Sequence, residues 1–305
     1  MRSMLNKAKI GSQPGARPSA AVELSPEGVL AASSPGTGQQ PVYTFVPLQE
    51  GALIPGIGEP NIRAAEAIAE AIRSALGQVS PRTRSVTLVL PDTVVRVFIL
   101  DFDTLSSRPA EAIPVLRFRL RKMVPFDVEH AGISYQVLSE SKTECKVLTA
   151  VLPGPILAEY EAAVRAAGYE PGAVLPSSLA ALEAVDSMEA VLAANLSSLA
   201  LTTSIANGND LLLYRTLDLP EETELRLAEI QRGIAVAAAF FEDKLQAPAI
   251  KLHYAGVYDA AEFAHWIDNP DLTVVEMAPR PETGAMTALG HASIAGAAGA
   301  LAGAS

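Results

Sequence analysis

The chain has 305 residues, 49% of them apolar and 19% charged, which is ample core material for one large domain or two of medium size. Its formal net charge of −11 disfavours non-specific nucleic-acid binding, which needs a clustered positive footprint. One cysteine, Cys145, excludes an internal disulfide framework and a cysteine-rich zinc site. Aromatics at 5% beside abundant alanine favour close-packed helices over a deep aromatic pocket.

Residues 1–19 carry Arg2, Lys7, Lys9 and Arg17 without the apolar core of a signal peptide, and read as a disordered arm. AAVEL and GVLAAS flank the turn SPEG and predict a hairpin. SPGTGQQP is a flexible loop, and VYTFVPL a third strand. NIRAAEAIAEAIRSALGQV is a helix with Ile62, Ala65, Ile68, Ala69, Ile72 and Leu76 on one stripe. SVTLVLP, apolar throughout, reads as a central strand, and VVRVFILDF as the next. In RPAEAIPVLRFRLRKMVPF, Ile113, Leu116, Leu120 and Met123 recur at helical spacing, and Pro125 stops the helix. AGISYQVLSE and ECKVLTAVLP form a hairpin around SKT. GPILAEYEAAVRAAGY is a helix ending at Gly168, and PSSLAALEAV a short one with Ser177 or Ser178 as its cap.

The second half restarts the pattern. AVLAANL, LALTTSI and LLLYRTLDL read as strands, the last two joined through ANGND. A long helix follows, with Leu227, Ile230, Ile234, Ala237, Phe241 and Leu245 as its stripe. AIKLHYAG is a strand, DAAEFAHWI a helix and LTVVEM a strand. The tail TALGHASIAGAAGALAGAS is too short and too rich in glycine and alanine for a membrane span, and reads as a buried helix. This order describes an α/β chain of two related lobes. The arm is 1–19, the first lobe 20–93 and 169–187, an α/β insert 94–168, and the second lobe 188–305.

No GxxxxGK[ST], HExxH, GxSxG or CxxC is present. Gly56-Ile57-Gly58 lacks a third glycine and a leading strand, so it reads as an ordinary loop. Asp101 and Asp103 share one face of an extended segment, but no third ligand lies nearby, and a strand end is the better reading. His130, His253, His265 and His291 show no ligand spacing, and Cys145 falls in a strand pattern as a small hydrophobe. From Arg108 to Lys122 there are five basic residues and one acidic, so the rest of the chain carries −15. That ridge is either a solvated face or a docking edge for an acidic or lipid-proximal partner, or an internal joint onto an acidic lobe.

RLRKMVPFDVEHAGISYQVL resembles the PilM family of type IV pilus assembly proteins, through Val124-Pro125-Phe126 and Ser134-Tyr135-Gln136. VLPDTVVRVFILDF before it, and Gly168-Tyr169-Glu170-Pro171 after it, continue the likeness. The resemblance implies an actin-like, ribonuclease H-like α/β fold close to FtsA, with two lobes and an inserted α/β subdomain. It further implies a cytoplasmic protein, held at the inner membrane by the N-terminal cytoplasmic segment of a PilN-like partner. The family's groove lies between first lobe and insert, which places docking near Arg119, Lys122, Pro125 and Phe126.

Where the family's fold holds nucleotide, this chain departs from it. The first turn reads Glu23-Leu24-Ser25-Pro26-Glu27, with a proline that offers no N–H and an added carboxylate. The second reads Asn195-Leu196-Ser197-Ser198, without the expected glycine and aspartate, and the third Tyr254-Ala255-Gly256-Val257 in place of Gly-Gly. The expectation is an adaptor that does not hydrolyse ATP, with ATP and magnesium disfavoured as cofactors. The alternatives are an active actin-like ATPase or sugar-kinase relative, a GspL-like secretion component, and a protein that binds membranes through the basic helix.

Overall fold

The computed structural model of the chain describes residues 17–34, 40–208, 210–278 and 293–302. β1 (Ala20–Ser25) and β2 (Gly28–Ser33) form an antiparallel hairpin, and β3 (Val42–Pro47) extends it. On the other side of β1 lie β4 (Ser85–Leu90) and then β8 (Glu170–Pro176), both parallel, giving the order β3-β2-β1-β4-β8. The second half builds the same sheet from β9 (Val191–Leu196), β10 (Ala200–Asn207), β11 (Asp210–Asp218), β12 (Lys251–Gly256) and β13 (Thr273–Glu276). Its order is β11-β10-β9-β12-β13. One topology is therefore used twice. In each half a long helix, α1 (Ala65–Val79) or α5 (Thr223–Leu245), carries the chain from the antiparallel meander to the parallel strands.

Three elements differ from expectation. α1 starts at Ala65, so Ile62 lies outside it and bridges Leu53 instead. Asn61 explains this: its side chain accepts from Gly56 N (3.0 Å) and donates to the Gly56 and Glu59 carbonyls, folding the Gly56-Ile57-Gly58 loop back before the helix can begin. β8 is unanticipated, because Pro171, Gly172 and Pro176 argue against a strand. It is an edge strand paired only with β4, where a missing N–H costs little. Ser19 accepts the Ser34 amide at 2.9 Å, so order reaches back into the segment expected to be a free arm, while residues 1–16 lie outside the described region.

Between β4 and the return to the first sheet, β5 (Arg96–Phe102), β6 (Gly132–Glu140) and β7 (Cys145–Leu152) make a separate antiparallel sheet of order β5-β7-β6. α2 (Pro109–Leu120) lies on it through Ala112, Leu116 and Leu120, against Leu100, Val147 and Val151. α2 ends at Leu120, not at Pro125. The Met123 and Val124 amides both donate to Leu120 O in a loose last turn, which turns Val124 inward and leaves Met123 exposed. α3 (Gly154–Ala166) then packs on α1. It ends as expected on Gly168, at φ +87°, with Tyr169 N donating to Val164 O and Gly168 N to Arg165 O.

α4 (Ser177–Leu182), α6 (Ala260–Ile267) and α7 (Ala295–Ala302) complete the fold. α4 and α7 touch at the centre, between the two sheets. A Cβ on Gly299 would fall inside the Ala180 carbonyl oxygen, so only glycine lets these backbones approach this closely. The small residues of the C-terminal helix are therefore packing material; residues 287–292 of that tail, including His291, and residues 303–305 lie outside the described residues.

Candidate functional site

The two halves meet at a cavity of about 330 Å³. The β1–β2 turn, the β9–β10 turn and the end of β12 converge there, because β1 and β9 hold equivalent central places in their sheets. Glu23, Ser25, Pro26, Asn195, Ser197 and Gly256 line it. Ala255 does not; it is a buried strand residue opposite Asn195 in register. Ser198 faces a neighbouring cavity of about 300 Å³ with Glu27, Arg226 and Trp266.

Several of the turns' backbone donors are already used. Ser197 Oγ accepts from Leu199 N (3.2 Å) and Ala200 N (3.0 Å), and Ser25 Oγ accepts from Gly28 N at 3.2 Å. Pro26 has no amide to give. Gly256 is needed for packing, since a Cβ there would meet the Leu196 carbonyl oxygen at 2.7 Å.

Asp92, in a short 3-10 turn (Asp92–Val94) after β4, is the centre of a buried network. Its Oδ1 accepts from Ser178 N (3.0 Å) and Tyr214 Oη (3.1 Å). Its Oδ2 accepts from the Ser178 hydroxyl, Thr202 Oγ1 (3.3 Å) and Asn195 Nδ2 (3.5 Å). Burial raises the Asp92 pKa, and these donors hold it down in part. Burial also pushes the Tyr214 phenol well up, with Asp92's charge adding to it. Tyr214, Thr202 and Asn195 belong to the second sheet, so the first half's carboxylate is bound directly to the second half. The Glu23 carboxyl accepts from Ser177 Oγ at 2.6 Å, and Asn195 Nδ2 donates to Ser177 Oγ (3.2 Å) and Ser178 Oγ (3.0 Å). Neither serine caps α4; both hydroxyls turn to the carboxylates. Burial raises Glu23 to about 7, and Asp92 nearby adds to the rise.

An actin-like fold implies a magnesium–triphosphate site, which requires free turn amides and carboxylate oxygens open to a metal. The residues here do not fit one. The Gly28, Leu199 and Ala200 amides are bound to serines, Asp92 is saturated by protein donors, and Glu27 puts a further carboxylate at the rim. Among the described residues, no three His, Cys, Asp or Glu side chains are placed to share a metal ion.

The basic ridge proves to be partly internal. Arg117 Nη1 donates to the Val128 and Glu129 carbonyls, and Arg121 pairs with the Glu129 carboxylate, so these two arginines fasten the chain that returns after Pro125. Arg119, Lys122 and Pro125 are exposed, and Phe126 is half-buried against the insert's own core. Phe118, 72% exposed, stands beside them with Val115. The four expected docking residues thus share one corner of the insert, while the contact between insert and first lobe runs through Glu159 and Tyr160 of α3 to Asn61. Asp101 is a cross-strand partner of Lys146 (2.7 Å), His130 pairs with Asp127 (2.9 Å), and Cys145 is buried. The residues missed from sequence are Asp92, Thr202 and Tyr214; the one available hint was an aspartate directly after an apolar strand and proline.

No protein-family model matches this chain, and no curated protein does. Solved structures do. PilM, from a PilM–PilN type IV pilus biogenesis complex, is 17% identical and aligns over 95% of this chain and all of its own, with a TM-score of 0.73. The cytoplasmic domain of EpsL, an inner-membrane component of the Vibrio cholerae type II secretion system, is 15% identical over 88% of this chain and 92% of its own, at 0.49. A Bacteroides thetaiotaomicron protein with an actin-like ATPase fold is 12% identical over 92% and 98%, at 0.48. The chain has an actin-like fold, two lobes with an inserted α/β subdomain, and PilM is similar to it along nearly the whole length.

Proposed function

We propose that this protein is a non-hydrolysing, actin-like adaptor of a type IV pilus assembly platform. It sits in the cytoplasm and is held at the inner membrane by the short cytoplasmic segment of a PilN-like partner. The observation that carries the reading is the preoccupied cleft. The amides of Leu199, Ala200 and Gly28 in its turns are bound to serines, and its lobes are bridged by the chain's own side chains, which supports a cleft that needs no nucleotide to join them. The similarity to PilM solved with PilN supports the choice of partner. Among the described residues no helix is long and apolar enough to cross a membrane.

The docking corner in this reading is Arg119, Lys122, Pro125 and Phe126, with Phe118 beside it as the exposed apolar anchor. The segment binds as an extended peptide, its apolar side chains on the rings and its acidic groups on the two cations. The test is calorimetric titration with a synthetic peptide of the partner's cytoplasmic segment. Intact protein binds, and an Arg119→Glu/Lys122→Glu double variant with an unchanged melting temperature loses about tenfold or more in affinity, equivalent to about 1.4 kcal/mol. No binding to intact protein contradicts the reading.

A further inference from the structure

We propose that a second copy of this chain docks on the outer face of α5, the two helices lying antiparallel with Arg232 of each beside Glu242 of the other. The proposal goes beyond the adaptor reading and uses the second lobe, whereas the docking corner is on the insert. α5 has two faces at helical spacing. Ile230, Ile234, Ala237 and Phe241 are buried and hold it on the second sheet. On the opposite side Leu225, Ala228, Arg232, Ala235, Ala239 and Glu242 are all exposed, at intervals of 3, 4, 3, 4 and 3 residues. That alternation is the seam one helix offers to another, and here it faces water. Leu225 is 53% exposed, and Val236, on the same side, 47%. Between Arg232 and Glu242 every exposed position, Ala235, Val236 and Ala239, is apolar. α6 lies to one side, where Gln231 Nε2 donates to the Trp266 carbonyl at 2.9 Å, and leaves the seam open. α1, which holds the same place in the first half, has the ordinary surface of a helix facing solvent: its exposed positions include Glu66, Glu70, Arg73, Ser74 and Gln78.

The charges select the occupant. Arg232 closes the apolar stretch at its N-terminal side, held by Glu229 of its own helix with most of its side chain in solvent. Glu242 and Asp243 close it at the other side, both exposed. Turned end for end about its middle, the face meets itself: Ala235 comes opposite Ala239 and Arg232 opposite Glu242, each contact made twice, as a two-fold interface requires. A parallel pair would set Arg232 against Arg232 and Glu242 against Glu242, a like-charge arrangement that selects against it. An anionic membrane would meet the two carboxylates instead of a basic rim. The alanines let the helix axes come to about 8 Å, the near end of the usual range. From Leu225 to Glu242 the seam is about 26 Å long. One helix face of that length makes a small interface, so the dimer is weak, with a Kd on the order of 10 μM.

Sedimentation velocity of the full chain from about 1 to about 200 μM tests this. The intact protein should pass from monomer to dimer across that range. Arg232→Glu alone and Glu242→Arg alone should each weaken self-association about tenfold or more, because each sets like charges together at both ends of the seam. An equimolar mixture of the two variants restores opposite charges at both ends and should dimerise to within about threefold of the intact protein, as should the double variant Arg232→Glu/Glu242→Arg. Both positions are exposed, so melting temperatures should stay within about 2 °C. Direction is read by cross-linking. Oxidised together, Ala235→Cys and Ala239→Cys chains should form the mixed disulfide faster than either forms its own, and Cys145 is buried and takes no part. An intact protein that stays monomeric throughout, single variants that associate like the intact protein, a mixture no better than its parts, or faster disulfides between like chains would each overturn the proposal. Calorimetry with the partner peptide reads the insert and not this face, so the two readings fail separately.

Discussion

Replacing Glu23 with glutamine should leave stability nearly unchanged at pH 5 and raise it at pH 8.5. The carboxyl is enclosed at the cleft, and burial lifts its pKa from the ordinary 4.5 to about 7. The unfolded chain therefore releases this proton before the native state does. Between those values the native protein binds more protons than the unfolded one, so stability falls as pH rises. The contribution is fully present below 4.5 and is lost as pH passes 7. The span between the two values corresponds to about 3 kcal/mol, or about 6 °C in melting temperature at this chain length. Glutamine cannot ionise and keeps an oxygen for the Ser177 hydroxyl. Urea denaturation of both proteins in half-unit steps from pH 5 to 8.5 isolates the effect, because other titrating groups cancel in the difference. That difference should grow by about 3 kcal/mol in the variant's favour. A difference flat with pH to within about 0.5 kcal/mol refutes the claim that Glu23 is held as a buried acid.

Asp92→Ala removes the acceptor for Ser178, Thr202 and Tyr214, and should cost about 3 kcal/mol by chemical denaturation, with faster amide exchange in α4 and β10 than in α1. Gly299→Ala forces α4 and α7 apart and should cost about 1–3 kcal/mol, whereas Gly77→Ala, which meets nothing within 4 Å inside α1, should stabilise by about 0.5–1 kcal/mol; thermal melts of the pair decide it. Phe118→Ala should leave the melting temperature within about 1 °C, because the ring touches mainly water, yet weaken the partner peptide at least about fivefold in calorimetry.

The repeated sheet was legible because its strands are apolar runs broken by turn residues, as in AAVEL–SPEG–GVLAAS and AVLAANL, and these need no tertiary information. The Gly168 terminus was legible for the same reason: a left-handed residue has a local cause. β8 was not, since Pro171 and Pro176 are penalised in a central strand and tolerated only once the edge position is known. The end of α2 was misplaced by the same kind of error. Pro125 forbids continuation, but the regular turns already stop at Leu120, whose carbonyl takes both the Met123 and the Val124 amide. At the cleft, the altered turns Ser25-Pro26 and Ser197-Ser198 were visible as residue types. Their use of serine oxygens to absorb backbone donors was not, and neither was Asp92, whose partners lie 86 to 122 residues away. A buried network assembled from both halves leaves no spacing to read.

The central claim is that the cleft no longer holds a nucleotide, and melting the purified protein with and without 5 mM Mg-ATP tests it most directly. Ligand that binds the native state raises stability by RT ln(1 + [L]/Kd), about 2.7 kcal/mol at a hundredfold excess over Kd. The serine-bound Gly28, Leu199 and Ala200 amides and a saturated Asp92 predict an unmoved midpoint, with and without EDTA. A midpoint that climbs with the logarithm of ATP concentration, and falls back when the magnesium is chelated, would contradict the account.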